Sequence, residues 1–379
     1  MLLTRLSLYY FSYFAFIGVF MPYFALYLQH RGLAAGQIGM LMALMQVMRL
    51  LAPNLWGWLA DRLGQRLLVL RLAALCSLLG FAALVWAQTL PALAVCVAVM
   101  GFFWTAQSPL AEALSLGLLR GQPGGYGKVR AWGSVGFVVA VLTMGAWLES
   151  VSLDWVYHGG LIALAAIFVS AWGLPAAPGL AGADARPGEF RQRLMCRPVL
   201  VLLAACMLMT AAHGAFNVFY SVHLVNAGHA KALVGALWTL GVVAEILVFQ
   251  FAPRLMQRYS VVALLLFALV VAVPRFVLIG WGADSLLILL FAQILHGITF
   301  GLTHITAISA VNRHFGERNA AQGQAVFGSV VYGAGGILGS VAAGWMWELG
   351  GGAWAFTVCA GFAAMGAGLL WRQRLEPVQ

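Results

Sequence analysis

The chain has 379 residues, of which 63% are hydrophobic and only 8% are charged, and its net charge is +10. A soluble domain carries about 25% charged residues, so the composition excludes an ordinary soluble enzyme and a disordered chain. It indicates a protein that crosses a membrane many times, because each helical crossing needs about 20 apolar residues. The basic residues lie singly in short loops, which argues against a nucleic-acid-binding surface.

Apolar runs predict twelve transmembrane helices, numbered here as spans 1 to 12. Spans 1 to 6 are predicted at 6–28, 37–59, 67–87, 91–118, 131–148 and 155–174. Spans 7 to 12 are predicted at 199–225, 232–252, 260–281, 286–310, 322–346 and 354–371. The stretch between them is rich in Ala, Gly, Pro and Arg, which predicts a linker. We therefore expect a six-helix N-terminal half over 1–174, a linker over 175–198 and a six-helix C-terminal half over 199–379.

The lysines and arginines of the loops predict the topology. They fall almost entirely on the side of the membrane that holds both termini, and only Arg31 and Lys231 fall on the opposite side. Because basic loops stay in the cytoplasm, we expect an integral protein of a bacterial inner (plasma) membrane with a cytoplasmic linker and both termini in the cytoplasm.

The two halves are related by an internal repeat. An offset of 196 residues aligns the first four spans of each half, as in the pairs Gly18 with Gly214, Gly32 with Gly228, Gly39 with Gly235, Arg62 with Arg258 and Gly101 with Gly297. A slip of one residue then aligns Gly133-Ser134 with Gly328-Ser329. The pattern predicts an all-α membrane protein made of two pseudo-symmetric six-helix bundles.

Four charged residues fall within the spans or at their edge: Arg49, Glu112, Glu245 and Arg275. A charge in hydrocarbon costs several kcal/mol unless it is paired or hydrated. These residues are therefore functional candidates, and the alternative is a set of structural ion pairs that join helices. Arg49 and Glu245 occupy the same position of the repeat.

Several further side chains are candidates for contact with these charges. Glu112 and Arg130 flank the short loop between spans 4 and 5, and Glu245 could pair with Arg275. Burial favours the neutral form of a carboxylate and a nearby arginine favours the charged form, so such a group can load and release a proton. His296 and His304 lie roughly on one face of span 10 and are either proton carriers or packing residues. Trp132 and Phe216 are candidate contacts for an aromatic ligand, although most tryptophans and phenylalanines in spans pack or anchor at the interface.

The loop after span 2, residues 57–66, contains the residues of a candidate gate: Gly57, Asp61, Arg62, Gly64 and Arg66. It resembles the major facilitator signature G-x-L-a-D-R-x-G-R-[RK], from which it departs at Gln65. An aspartate in this loop can cap a helix or pair with an arginine and so hold one conformation. The alternative is a loop whose charges only set topology.

The chain is similar to the major facilitator superfamily over its whole length. More narrowly, it resembles the 3-phenylpropionate transporter group, near the lactose permease type of proton symporters. The resemblance rests on residues 108–114, 126–134 and 240–245, on Pro274-Arg275 and on 293–296. It implies the major facilitator fold, with a substrate site near mid-membrane between the two halves.

The lactose permease type also implies roles for individual residues. Glu112 and Arg130 match its substrate-binding charge pair, and Glu245, Arg275 and His296 match its intramembrane carboxylate, arginine and histidine. The lactose permease type has a proton-releasing glutamate at the position where this chain has Thr299. The departure argues against sugar as the substrate. Either Glu245, Glu112 or His296 carries the proton, or the coupling differs from that of the lactose permease type.

These observations predict a proton-coupled importer of a small organic anion, specifically an aromatic carboxylate such as 3-phenylpropionate. The expected proton-coupling residues are Glu245, Glu112, His296, Arg275 and Arg130. The expected substrate-binding residues are Arg49, Arg275, Arg130, Trp132, Phe216 and His304. A symporter for sugars or nucleosides is the main alternative, and a drug/proton antiporter is less favoured because span 5 lacks proline. We expect no enzymatic activity, cofactor, metal or nucleic acid, and a monomer whose partners are substrate, protons and lipid.

Overall fold

The computed structural model of the chain describes residues 1–120, 122, 124–176 and 187–375, apart from the side chains of 61, 187–189, 317, 318, 320, 321, 374 and 375. All regular secondary structure in this part of the chain is helical. A membrane favours this arrangement, because each helix satisfies its own backbone hydrogen bonds where no water is available.

The helices reproduce the predicted spans. Spans 1 to 6 are Leu2–His30, Ala35–Leu63, Arg66–Ala82, Leu90–Leu118, Gly125–Trp147 and Trp155–Trp172. Span 7 consists of Arg197–Ala212 and Gly214–Asn226, span 8 is Lys231–Arg258 and span 9 is Val261–Trp281. Span 10 is Leu286–Gly316, and the last stretch of membrane length is Gln322–Gln373.

Two glycines with positive φ separate the last three spans. Gly316 has φ 68° and ends span 10, and Gly351 has φ 77° and divides the last stretch into spans 11 and 12. A residue with a Cβ atom rarely adopts this left-handed conformation, so glycine allows a sharp break without a longer loop. The described residues thus form twelve membrane-length helices, and the predicted all-α membrane fold is confirmed.

The turns after spans 1 and 7 support the predicted repeat. Gly32 has φ 83° and Gly228 has φ 88°. The Gly32 N–H donates to the Gln29 carbonyl at 2.9 Å, and the Gly228 N–H donates to the Val225 carbonyl at 3.0 Å. Both pairs are related by the offset of 196 residues, so the two halves end these helices with the same glycine turn.

Glycines also let spans 1 and 5, and spans 7 and 11, approach backbone to backbone. A Cβ atom on Gly136 would overlap the carbonyl oxygen of Phe11, and one on Gly335 would lie 2.6 Å from the carbonyl oxygen of Met207. Phe11 and Met207 are 196 residues apart, whereas Gly136 and Gly335 are 199 residues apart. Spans 1 and 7 therefore keep the predicted register, and spans 5 and 11 follow a different one.

The register predicted for span 11 from Gly133-Ser134 is wrong for this packing. The segment Gly328–Ala334 is π-helical and lies directly before the packing glycines of span 11. A π turn holds more residues than an α turn, so span 11 carries additional residues relative to span 5. The match with Gly328-Ser329 does not correspond to a shared packing position.

The chain forms two compact units. Unit 1 contains Met1–Leu33, Leu44–Ala181 and Ala230–Ala236. Unit 2 contains Ala34–Ala43, Gly182–His229 and Leu237–Gln379. Spans 2 and 8 therefore each begin in one unit and continue in the other.

A glutamate caps the start of each of these two helices. In unit 2, the Gly36 N–H at the start of span 2 donates to Glu348 Oε1 of span 11 at 2.8 Å. In unit 1, the Ala232 N–H at the start of span 8 donates to Glu149 Oε1, just after span 5, at 3.0 Å. Each carboxylate satisfies an N–H that has no partner within its helix and faces the positive end of the helix dipole. We call these contacts the Glu348 cap and the Glu149 cap.

Part of the predicted linker is helical. Residues 187–194 form the short helix Pro187–Leu194, and residues 177–186 lie outside the described residues. Arg193 Nη1 donates to the His314 carbonyl at 3.0 Å, and His314 Nε2 lies 3.0 Å from the Arg193 carbonyl. These contacts tie the short helix to the end of span 10 within unit 2.

Candidate functional site

Unit 2 brings together the charged residues predicted on spans 8, 9 and 10. His296 Nε2 lies 2.8 Å from Glu245 Oε1, and the two side chains are 8% and 17% exposed. Arg275 is fully buried and attracts Glu245 electrostatically. The direct partner of Glu245 is thus His296, and Arg275 adds a positive charge nearby.

Hydrogen bonds hold the Arg275 side chain. Its Nε donates to the Ala292 carbonyl at 2.9 Å, and its Nη1 donates to Thr299 Oγ1 at 3.2 Å and lies 3.3 Å from His213 Nε2. Nη2 has no hydrogen-bond partner among the described residues. Thr299 therefore binds the arginine at the position where the lactose permease type carries a glutamate.

Phe216 of span 7 lies between the arginine and the histidine. The guanidinium carbon of Arg275 is 4.6 Å from the centre of the Phe216 ring, and the His296 ring stacks on Phe216 at 4.9 Å. Phe216 is only 1% exposed. The ring packs against both charged side chains, and its predicted contact with an aromatic ligand stays a prediction.

His304 extends this cluster along span 10. Phe300 stacks between His296 and His304, with ring centres 5.4 Å and 6.1 Å away. His304 Nδ1 lies 2.6 Å from the Tyr332 hydroxyl, and His304 also interacts electrostatically with Glu245. The segment Gly297–Leu302 between the histidines is π-helical, and such segments often occur at functional positions. We call Glu245, Arg275, His296 and His304 the unit 2 cluster.

Unit 1 contains a second cluster around Glu112. Ser108 Oγ donates to Glu112 Oε1 at 3.3 Å, and Arg130 attracts this half-buried carboxylate. Arg49 is exposed and interacts electrostatically with Tyr13. Three of the predicted charged side chains, Arg49, Glu112 and Arg130, therefore share this cluster.

Aromatic side chains that the sequence did not single out line the unit 1 cluster. Tyr13 of span 1 stacks on Trp104 of span 4 with ring centres 5.3 Å apart and planes 8° apart. The Arg130 guanidinium carbon lies 4.0 Å from the centre of the Phe14 ring. Spans 1 and 4 thus supply rings to the unit 1 cluster, and span 5 supplies Arg130.

Two tryptophans are candidates at this site. Trp132, which we expected to contact substrate, is 51% exposed, and its role stays a prediction. Trp104 stacks on Tyr13 in the unit 1 cluster. A helical spacing of four residues from Trp104 through Ser108 to Glu112 is the signal that could have identified Trp104.

The described residues contain no group of three His, Cys, Asp or Glu side chains that could hold a metal ion. Both clusters instead combine buried or half-buried carboxylates, arginines and stacked rings. Such an arrangement can bind an anion and exchange protons.

Comparison with known proteins decides the family. The model of the MFS_1 like family matches residues 3–358. The chain belongs to the major facilitator superfamily. It is a secondary transporter with many membrane spans that binds a small molecule in the membrane, and it is not an enzyme.

Relatives of this major facilitator differ in their named substrates. It is 31% identical to the "Probable 3-phenylpropionic acid transporter" of Escherichia coli (strain K12), over 90% of each chain. It is 28% identical to the "Maltose permease" of Geobacillus stearothermophilus, over 94% of this chain and 91% of the relative. The crystal structure of the nucleoside transporter NupG superimposes with a TM-score of 0.85 at 18% identity, over 99% of each chain. The similarity to NupG, at 18% identity, shows a shared fold and nothing more.

The signature residues 57–66 of this major facilitator lie in unit 1, and the expected loop is shorter than predicted, because residues 57–63 are the last turns of span 2. Gly64 follows the end of span 2 with φ 64°, which explains the glycine there, and Gly57 lies in open space. The Arg62 guanidinium carbon lies 5.3 Å from the centre of the Trp58 ring, and Arg66 begins span 3. The Asp61 side chain lies outside the described side chains, so its predicted gating contact stays a prediction.

Proposed function

We propose that this major facilitator couples the inward movement of a proton to uptake of a small organic anion, an aromatic carboxylate of the 3-phenylpropionate type. The observation that carries the proposal is the 2.8 Å contact between Glu245 and His296 beside the buried Arg275. The relative named as a 3-phenylpropionic acid transporter supports the substrate class.

The proton step belongs to the unit 2 cluster. Glu245 Oε1 and His296 Nε2 are close enough to share one hydrogen, so a proton can pass between them without rearrangement of the backbone. Arg275 supplies a fixed positive charge, because its side chain is held by three hydrogen bonds. Glu245 loads a proton in one conformation and releases it in the other. Thr299, which stands where the lactose permease type has its proton-releasing glutamate, cannot take this role.

The anion step belongs to the unit 1 cluster. Arg49 is exposed, unlike Arg275, and is the cation placed to meet an incoming carboxylate. Arg130 adds a second cation, and the half-buried Trp104, which stacks on the buried Tyr13, offers an aromatic surface for the ring of the substrate. Aromatic pairs favour stacked or edge-to-face contacts, so this surface suits a phenyl group.

Electroneutral symport fits this division of roles. One proton moving with one monoanion transfers no net charge, so a pH gradient alone can drive accumulation. One pH unit supplies about 1.4 kcal/mol, which corresponds to about tenfold accumulation.

The test is uptake of labelled 3-phenylpropionate into proteoliposomes with an imposed inward proton gradient. We expect uphill uptake that a protonophore abolishes. Glu245→Gln should exchange substrate across the membrane without accumulating it, because the amide cannot carry the proton. Asp284→Asn is the matched control, since Asp284 is an exposed carboxylate outside both clusters. Full uphill uptake by Glu245→Gln would contradict the proposed proton step.

A symporter for sugars or nucleosides is the second candidate. Glu112 accepts a hydrogen bond from Ser108 near the stacked rings of Tyr13 and Trp104, and a sugar hydroxyl could replace Ser108 as the donor. The maltose permease relative favours this candidate. Competition separates the two: maltose or a nucleoside that blocks uptake of 3-phenylpropionate, with Glu112→Gln insensitive to it, would support the second candidate.

The topology in a bacterial inner membrane, with both termini and the linker in the cytoplasm, belongs to the same proposal. Cys196 in the linker region is exposed, and the other four cysteines are half-buried or buried. A membrane-impermeant thiol reagent should therefore label Cys196 in inverted vesicles and not in intact spheroplasts. Equal labelling in both would contradict the topology.

A further inference from the structure

His213 of span 7 lies beside Arg275 and has no part in the proposed proton step. Its Nδ1 lies 2.8 Å from the Met209 carbonyl, and its Nε2 lies 3.3 Å from Arg275 Nη1. A carbonyl oxygen can only accept a hydrogen bond and a guanidinium N–H can only donate one. We infer that His213 is a neutral positioning residue, with its hydrogen on Nδ1, that holds Arg275 in place for the Glu245–His296 pair. The inference rests on the proposed function.

The hydrogen bonds of Arg275 show why one acceptor at His213 matters. The Nε hydrogen goes to the Ala292 carbonyl, and the two Nη1 hydrogens go to Thr299 and His213. The guanidinium is planar, so acceptors on two different nitrogens fix both the position and the orientation of its fork. Ala292 and Thr299 both belong to span 10. His213 is the hydrogen-bond acceptor that ties the arginine to span 7, where the Phe216 ring also packs against the guanidinium.

The surroundings of His213 keep it neutral. A second proton would sit on Nε2, where it would meet the N–H groups and the positive charge of Arg275. Phe276 on span 9, Phe300 on span 10 and Phe216 on its own span complete the ring contacts. Among the described side chains, the other titratable neighbour is His296, whose ring centre is 5.9 Å away.

His296 has the opposite environment, because its Nε2 faces the carboxylate of Glu245. Two adjacent histidines therefore have different roles. His296 exchanges a proton with Glu245, and His213 accepts a hydrogen bond and does not titrate during transport.

The functional test compares His213→Gln with His213→Ala. The glutamine side-chain oxygen can accept from Arg275, so we expect His213→Gln to retain most of the maximal uptake rate. His213→Ala should lower the maximal rate by about tenfold, because a buried donor loses its acceptor. Neither change should move the pH dependence of uptake, whereas His296→Gln should move or abolish it. A shift of the pH profile in His213→Gln, or wild-type uptake by His213→Ala, would overturn the inference.

A second measurement does not depend on the substrate. Solid-state nitrogen NMR of the full chain with ¹⁵N-labelled histidine distinguishes the two neutral tautomers from the doubly protonated ring, and the signals lost in His213→Gln identify His213. We expect these signals to report a neutral ring with hydrogen on Nδ1 from about pH 5 to about pH 8, the range in which histidine ordinarily titrates. A doubly protonated ring, or hydrogen on Nε2, would refute the role of His213. Failure to transport 3-phenylpropionate would instead refute the substrate assignment alone.

Discussion

Loss of the charge in the Glu348 cap should loosen the start of span 2 from span 11. In Glu348→Gln the side chain keeps a carbonyl oxygen that can accept from the Gly36 N–H, so only the attraction between the carboxylate and the helix dipole is removed. That attraction is worth about 0.3–1 kcal/mol at an exposed site, and Glu348 is exposed. The population in which the two helices separate should then rise by roughly two- to fivefold.

The separation can be read from a cysteine at Ser340, which is 3% exposed and whose carbonyl oxygen packs against Gly39 of span 2. In a background without the five native cysteines, the rate of maleimide labelling of Ser340→Cys should rise by the same roughly two- to fivefold factor when Glu348→Gln is added. High salt should reduce the difference, because exposed charges are screened. Asp284→Asn removes an exposed carboxylate elsewhere and should leave the rate unchanged. An unchanged rate in Glu348→Gln at low salt would refute the reasoning.

Two further predictions follow from packing. Gly18→Ala should lower the apparent melting temperature in detergent, because its Cβ would lie 2.6 Å from the Phe137 carbonyl oxygen. Such overpacking costs about 1–3 kcal/mol. Gly361→Ala is the control and should not lower the melting temperature, because a Cβ there would have no atom within 4 Å. Trp104→Leu should raise the half-saturation concentration for 3-phenylpropionate by roughly two- to tenfold if the stacked ring binds substrate, whereas Trp132→Leu should leave it within about twofold. The opposite order of the two tryptophan variants would contradict the assignment of the aromatic surface.

The sequence predicted the helices and most of the charged residues of both clusters. Long apolar runs report membrane spans directly, because the bilayer sets their length. Charged residues in apolar runs, such as Glu245 and Arg275, stand out because they are costly there. The sequence named Arg275 as the possible partner of Glu245, whereas the structure places His296 in direct contact with Glu245.

The aromatic parts of the site were harder to predict. Trp132 is two residues from Arg130 in the sequence, but two residues of a helix are separated by about 200°, so the two side chains face opposite sides. Tyr13 and Trp104 come from different spans, and no pattern within one span reveals their stacking. Phe216 was predicted to contact an aromatic ligand, and its packing against Arg275 and His296 could be seen only in the structure.

The register of span 11 could not be predicted, because a π turn leaves no mark in hydropathy or composition. The pair Gly133-Ser134 finds a match in Gly328-Ser329 by residue type alone, whereas backbone packing pairs Gly136 with Gly335. Equivalent glycines in the two halves can therefore be identified only when their packing contacts are known as well as their residue type.

The two glutamate caps also bear on how the chain is made. Ribosomes deliver spans 1 to 6 first, so the Gly36 N–H and the Glu149 carboxylate both enter the membrane before their partners exist. Glu348 and Ala232 arrive only with the second half of the chain. The first half of the chain thus holds one side of both caps, and the second half supplies both partners. A chain truncated after span 6 would lack Glu348 and Ala232, so neither cap could form.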